Sequence, residues 1–387
     1  MSAQDVGIGI IGGGLMGREI AAAIQRWPAL IDHPVRPRLT AVCDINPAAL
    51  AWFDQIDTVT QTTTDYSELL ANPDVDVVYV AVRHDLHEQI YTDVIRAGKD
   101  LLAEKPFGID TAAARAILRT MSEHPSSFVR CSSEMPFFPG AQRAIDYVRS
   151  GAAGRIIEVR SAFLHSSDLD ETKPINWKRQ ARYCGAAGVM NDLGMHAWHV
   201  PLRLGWLPES LTAVLQNLVP FRPGPTGEPE ECDTWENATV WGWVDHADGR
   251  FPLTVETKRI APGNKNTWVF EVIGTTGGVR FATSNPKRIE VFAVADVPGI
   301  GREQGWTAVE AGSQSVWPTV TGGIFETGFS DAILQMWAAF LAERAGELGD
   351  RFGSSPLSCS PAARSATASA PRHRKKPRAP TCCTTPR

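Results

Sequence analysis

Two stretches of the chain carry residue types that could move a proton. The first is Ala103-Glu104-Lys105-Pro106-Phe107, which follows a short apolar run, Asp100-Leu101-Leu102, and precedes a helical pattern from Thr111 to Met121. A lysine at the end of a buried strand, fixed by a following proline, is a poor choice for packing. It suits a cation held at the mouth of a cleft, because open parallel α/β sheets bind ligands at the carboxyl ends of their strands. Taken alone, the same stretch also reads as a surface loop with a solvated lysine. The second is Gly185-Ala186-Ala187-Gly188-Val189-Met190-Asn191-Asp192-Leu193-Gly194-Met195-His196-Ala197-Trp198-His199. On a helix Asp192, His196 and His199 share one face, at i, i+4 and i+7. That face reads as packed core histidines, as a metal site lacking the usual acidic or cysteine partners, or as a proton-transfer surface. The small residues ahead of it bring backbone close and leave room for a ligand.

The elements that must position these residues begin at Val6–Ile11, a β-rich apolar run. Gly12-Gly13-Gly14-Leu15-Met16-Gly17 and a helical segment from Arg18 to Arg26 follow, ending at Trp27-Pro28. Gly12, Gly14 and Gly17 have the G-x-G-x-x-G spacing. The first glycine makes a tight turn, the second lets backbone approach a pyrophosphate, and the third permits close helix–strand packing, with the helix N-terminus facing the anion. A second strand pattern, Arg38–Cys43, ends in Asp44, where a carboxylate would hold the 2′- and 3′-hydroxyls of an adenosine ribose. The step from Gly17 to Asp44 is 27 residues, longer than the usual ~20, and a Pro-containing loop over Asp32–Pro37 takes up the excess. Asp44 also reads as a cap for the helix opening at Asn46-Pro47. Ile45 and Asn46 follow it rather than a cation, which favours NAD over NADP.

Further helices are expected over Pro47–Phe53 and Tyr66–Leu70, with a short strand near Val59. Val75–Val82 is an almost unbroken apolar run, as for a strand buried on both faces, and empties into Arg83-His84-Asp85-Leu86-His87. A helix over Glu88–Ala97 leads on to the Lys105 strand. This alternation predicts a doubly wound parallel sheet, an α/β Rossmann domain over residues 1–128. From 129 to 350 the pattern changes to a helix, Gly140–Arg149, and longer alternating strands: Ile156–Leu164, Leu211–Leu218, Ala238–Val244, Leu253–Arg259, Trp268–Ile273, Gly278–Ala282 and Arg288–Val294. Turn signals such as Asp248-Gly249 separate the later ones. They predict an α+β domain with a large, mostly antiparallel sheet, closed by an amphipathic helix over Phe329–Glu347. Residues 351–387 lack periodicity and read as a disordered low-complexity basic tail.

From Phe352 onward there are seven Lys/Arg and no Asp/Glu, which leaves 31 Lys/Arg against 43 Asp/Glu in the rest, a net charge of −12. An acidic body does not suit a nucleic-acid partner. The seven cysteines show neither zinc spacing nor a disulfide framework, and no apolar run has the length of a membrane span. The expectation is a soluble cytoplasmic protein with no metal, no membrane and no nucleic-acid partner.

The glycine turn, the strand ending in Asp44, the segment Ala81–His87 and above all Glu104-Lys105-Pro106 resemble the glucose–fructose oxidoreductase / inositol dehydrogenase (Gfo/Idh/MocA) family of NAD(P)-dependent sugar and polyol dehydrogenases. The likeness runs from about Val6 to Leu341. It implies a cofactor, NAD with NADP as the alternative, along Gly12, Gly14, Leu15, Met16, Gly17, Asp44, Val82, Arg83, His84, His87, Glu104 and Lys105. It also implies a substrate pocket where the Asp-x-x-x-His of Asp192 and His196 faces Lys105. Oxidising a secondary alcohol requires hydride loss from carbon and proton loss from oxygen. His196 then serves as general base, Lys105 as oxyanion stabiliser and proton relay, and Asp192 as orienter of the histidine or ligand of a neighbouring hydroxyl; Lys105 and His196 can exchange the role of base. Asn191, His199 and Trp177 join the substrate side, Trp177 as a stacking platform or as a core tryptophan.

The chain departs from the family pattern at Arg83-His84, where Pro-Asn is common. It also lacks the usual arginine within Glu134-Met135-Pro136-Phe137-Phe138-Pro139, and has a histidine at 199 where a carboxylate is frequent. The expectation is a dehydrogenase of a small sugar, polyol, inositol or sugar derivative, assembled as a homodimer or homotetramer. A redox-neutral, glycosidase-like enzyme of the same fold and a non-catalytic sugar sensor are the alternatives.

Overall fold

The computed structural model describes residues 3–247, 249–312, 316–322, 324 and 327–346. The basic tail, the stretch 347–350 and Asp248 of the expected turn lie outside them.

Six parallel strands form the first sheet: β1 (Gln4–Ile11), β2 (Val35–Cys43), β3 (Gln61–Thr63), β4 (Val77–Val80), β5 (Asp100–Ala103) and β6 (Val129–Cys131). Their order is β3-β2-β1-β4-β5-β6, the doubly wound arrangement expected. Its reversal point lies between β1 and β4, so the loops leaving those strands open a crevice at their carboxyl ends. The helices are α1 (Leu15–Gln25), α2 (Pro47–Leu50), α3 (Tyr66–Ala71), α4 (His87–Arg96) and α5 (Thr111–Glu123). β4 is buried along its whole length, which is why its sequence runs without polar alternation.

Three details differ from the sequence reading. β2 starts at Val35 and includes Pro37, so the expected loop shrinks. Pro37 is tolerated because β3 pairs only with Ala41–Cys43, leaving no neighbour on that side to require its N–H. The third strand lies at Gln61–Thr63 rather than near Val59. The parallel sheet also continues one strand past residue 128, since β6 pairs with β5.

The second sheet has eight strands in the order β18-β15-β14-β13-β7-β12-β11-β8. In chain order its first members are β7 (Ile156–His165) and β8 (Thr212–Gln216). After a two-stranded ribbon of β9 (Phe221–Pro223) and β10 (Pro229–Glu231) come β11 (Asn237–His246), β12 (Gly249–Lys258), β13 (Asn266–Gly274), β14 (Gly277–Ala282) and β15 (Arg288–Ala293). A second ribbon, β16 (Ala295–Val297) with β17 (Gly301–Glu303), precedes β18 (Thr307–Glu310). Only β7 and β12 pair in parallel; the other neighbours are antiparallel, as expected. The two ribbons and β18 gave no sequence signal. One face of the sheet is covered by α6 (Pro139–Arg149) and, after the short α7 (Ala181–Cys184), by α8 (Val189–Arg203). Toward them β12 points Phe251, Leu253, Val255 and Thr257, and β13 points Trp268, Phe270 and Val272, all buried.

The last described helix, α9 (Phe329–Arg344), is not amphipathic. Every residue from Ala332 to Ala342 is buried. The helix returns to the first domain, where Trp337 meets Tyr79 at 6.1 Å and Phe340 meets Phe128 at 5.4 Å between ring centroids. His33 accepts the Val35 N–H at Nδ1 and places Nε2 3.0 Å from the Ala338 carbonyl. Both sides of α9 are therefore covered, and a solvent-facing stripe has no place to be. Among the described residues no helix is long and apolar enough to cross a membrane.

Trp337 is fully buried against Tyr79 of the first domain. Trp337→Ala should lower unfolding free energy by about 3–5 kcal/mol in a denaturant titration; a loss below about 1 kcal/mol would show that α9 does not seal the first domain.

Candidate active site

The glycine turn closes β1 onto α1. Gly12 sits at φ +106°, and a Cβ on Gly17 would stand 2.0 Å from the Gly12 carbonyl, so helix and turn approach as only glycine allows. Gly14 caps α1 and faces open space. Its backbone borders a cavity of about 570 Å³ that Asp44, Ile45, Val82, Arg83 and Trp177 also line. Asp44 accepts from the Gly13 N–H at 2.7 Å and from the Asn46 N–H at 2.8 Å. The cap of α2 is Asn46, which accepts from Ala48 N–H; Asp44 instead faces the glycine turn. Leu15 is exposed at the rim, with Met16 half-buried behind it. A dinucleotide fits these groups: a helix N-terminus bare of side chains, a carboxylate at the end of β2, and apolar walls between.

On the far side of the crevice Arg83 pairs with Asp85 at 3.0 Å and lies over the Tyr183 ring, 4.2 Å from its centroid. His87 is fully buried between the carbonyls of Pro106 and Val82, at 2.8 and 3.1 Å, and joins the two loops rather than facing the cavity. Burial drives its pKa down to about 4. Glu104 also faces inward. Its carboxylate accepts from Tyr79 Oη at 2.7 Å, Ser132 Oγ at 2.6 Å and the Lys105 N–H at 3.1 Å, so it fixes the backbone that carries Lys105.

Lys105 leaves the end of β5 and crosses to α8. Its Nζ donates to the Asp192 carbonyl at 3.0 Å and to Asp192 Oδ1 at 3.1 Å. Asp192 Oδ1 also lies 3.8 Å from His84 Nε2; Oδ2 meets Lys178 Nζ at 3.2 Å and the Arg259 guanidinium. Burial holds the Lys105 ammonium below its ordinary pKa, against the pull of Glu104 and Glu134. Burial, with His87 and Lys105 nearby, takes His84 down to about 2. The helix holding Asp192 is started by Gly185 and Gly188, at φ +88° and +53°. Asn191 ties that turn to the Lys105 loop by donating to the carbonyls of Cys184 and Ile109, both at 2.9 Å.

His196 is buried one turn beyond Asp192, edge-on to Phe163 at 5.0 Å. The carboxylate beside its ring belongs to Glu134, with Oε1 3.6 Å from Nδ1. Burial, then Lys105, His165 and His199, push the imidazole well below its ordinary pKa, which favours its neutral form. Burial and the neighbouring Glu104 raise Glu134 to about 7. His199 is buried a further turn along α8, and the Trp177 ring stands edge-on to His84 at 4.8 Å on the cofactor side.

Two family models match the chain. Residues 6–129 fit the oxidoreductase family with an NAD-binding Rossmann fold, and residues 141–280 fit the GFO/IDH/MocA C-terminal domain. The chain belongs to the Gfo/Idh/MocA family of oxidoreductases. It is 26% identical over 342 residues to levoglucosan dehydrogenase of Pseudarthrobacter phenanthrenivorans, covering 83% of this chain and 85% of that one. With inositol 2-dehydrogenase of Rhizobium meliloti it shares 26% over 289 residues, 74% and 78% of the two chains. The solved levoglucosan dehydrogenase in complex with NADH and levoglucosan superposes with a TM-score of 0.79 at 24% identity, over 92% of this chain and 95% of that one. An oxidoreductase domain protein from Kribbella flavida gives 0.81 at 22% identity, over 95% and 98%. At these identities the two structures speak for the fold.

The structure brings together Lys105, Asp192 and His84 directly, with His196 close by, while Asn191 and His87 are occupied by backbone. Lys178, Arg259 and Glu134 complete the site. Lys178 had one signal, its place beside Trp177; Arg259 had none beyond standing at the end of a strand pattern. Among the described residues no cluster of His, Cys, Asp and Glu is arranged to hold a metal ion.

Glu134 is neutral below about pH 7 and charged above it. With His196 as the proton acceptor expected from the sequence, only the carboxylate can stabilise the resulting imidazolium, and kcat/KM for alcohol oxidation should then climb through about pH 7 and level off. Glu134→Gln should flatten that step and lower the plateau by about tenfold or more. A pH–rate profile that keeps its inflection in the variant would remove Glu134 from this role.

Proposed function

We propose that the chain is an NAD-dependent dehydrogenase that oxidises a secondary hydroxyl of a sugar, polyol or related compound. The first domain holds the cofactor and the second shapes the substrate pocket. The observation that carries this reading is the meeting of Lys105 with Asp192, beside a neutral His196, at the carboxyl end of a Rossmann sheet. The names of the levoglucosan and inositol relatives support the substrate class.

Gly12, Gly14 and the start of α1 would hold the pyrophosphate, and Asp44 the adenosine ribose. Bound there, NAD supplies the acceptor for a hydride. The chain's own residues deal with the proton. The substrate hydroxyl donates toward His196 or Lys105, each of which burial biases toward its neutral form. A lysine that keeps its ammonium stabilises the developing alkoxide. Asp192, held from four sides, fixes the Lys105 amine at the reacting oxygen. Asp44 and the absence of a basic residue at 45 and 46 support NAD over NADP.

A homodimer or homotetramer formed through the uncovered face of the eight-stranded sheet goes with this reading. Val214, Trp241 and Trp243 are exposed on β8 and β11, a group of apolar side chains that suits an interface. The cysteines at 43, 184 and 232 are free thiols and buried, which supports a reducing, cytoplasmic setting.

Absorbance at 340 nm with NAD and a panel of sugars, sugar acids, inositols and anhydrosugars tests the chemistry. NADH should form with one substrate class, and Lys105→Ala should cut kcat/KM by about 10²–10⁴. No NADH from any member, with NAD still tightly bound by calorimetry, would sink the dehydrogenase reading. For the assembly, light scattering should give a multiple of the chain mass that Trp241→Lys reduces; a monomeric parent protein would exclude it.

A further inference from the structure

Asp192 is a single carboxylate among three cations. Lys105 Nζ stands 3.1 Å from Oδ1, Lys178 Nζ stands 3.2 Å from Oδ2, and the Arg259 guanidinium contacts Oδ2 as well. The neighbouring acids do not restore the balance. Asp168 is shared between Arg179, at 2.6 Å, Lys173, at 3.6 Å, and the charge of Arg259, Glu104 is bonded inward to Tyr79 and Ser132, and Glu134 lies beside His196. Unmatched buried cations are costly unless an anion joins them. Burial lowers the Lys178 ammonium well below its ordinary pKa, and Arg259 and Lys105 lower it further. Lys178 is also the most open of the three. Its side chain is 35% exposed, against 15% for Lys105 and 7% for Arg259, and it carries N–H donors that the one Asp192 oxygen does not use. It reaches this point over the Trp177 ring, which lines the cofactor cavity.

We propose that the substrate is a hydroxylated acid, such as a uronic or aldonic acid, whose carboxylate is received by Lys178 with Arg259 while Lys105 and His196 act on a nearby hydroxyl. The proposal rests on the dehydrogenase reading for the hydroxyl and on the charge arrangement for the acid.

Calorimetric titration of the NADH-loaded protein reads binding whether or not a hydride moves. The probes are glucose against glucuronate, galactose against galacturonate, and glucose 6-phosphate. Each acid should bind at least tenfold more tightly than its neutral partner. Lys178→Met should bring that ratio close to one, and Lys178→Arg, which keeps the charge, should preserve it. Equal or tighter binding of the neutral sugars, no binding by any acid, or a preference that survives Lys178→Met would overturn the proposal. Tighter binding of glucose 6-phosphate than of glucuronate would overturn the assignment to a carboxylate. NADH formation at 340 nm is followed separately with NAD. Acids that bind without producing NADH would count against the dehydrogenase and leave the anion site standing, whereas NADH from neutral sugars that bind best would do the reverse.

Discussion

The site depends on one buried carboxylate. Asp192 is almost wholly removed from water, and its cations come from both domains: Lys105 from the end of β5, Lys178 and Arg259 from segments flanking α7 and β12. A charge in that position holds only while its partners stay, and removing one partner of a buried pair costs about 3–5 kcal/mol. The spacing between the Rossmann sheet and α8 is thus set by charge matching as much as by apolar packing. The crevice is braced at the point where Lys105 meets Asp192.

Lys105 lies between two carboxylates with different duties. Glu104, anchored by Tyr79 and Ser132, holds the main chain at Lys105; Asp192 holds the ammonium. A long flexible side chain fixed at both ends loses most of its rotamer freedom before any ligand arrives, so little remains to be ordered on binding. The same burial that fixes it also lowers its pKa. Position and proton affinity therefore have a common cause.

The legible parts of the sequence were those whose chemistry is local. The glycine turn, Asp44 and the α8 face each need residues at fixed spacing along one strand, turn or helix, and each is found where the spacing put it. The i, i+4 relation of Asp192 and His196 did predict a shared face, yet the partner of each side chain comes from elsewhere. Glu134 reaches His196 from the loop after β6, and Arg259 reaches Asp192 from the end of β12. Nothing in the spacing of those residues announces the contact, because tertiary packing makes it. The α9 pattern looks amphipathic only if one face meets water, whereas α1 and the segment Met135–Phe137 pack against the helix and leave no such face.

The return of α9 also bears on how the chain acquires its shape. Residues 329–344 supply a wall of the first domain's core, although that domain's own sheet ends at Cys131. During synthesis the nucleotide-binding half leaves the ribosome with Tyr79 and Phe128 uncovered, and roughly two hundred further residues must emerge before α9 can reach them. Order of translation and order of completion are therefore reversed: the domain made first is finished last. Loss of the chain beyond about residue 328 would leave Lys105 and α8 encoded but the cofactor domain without its seal.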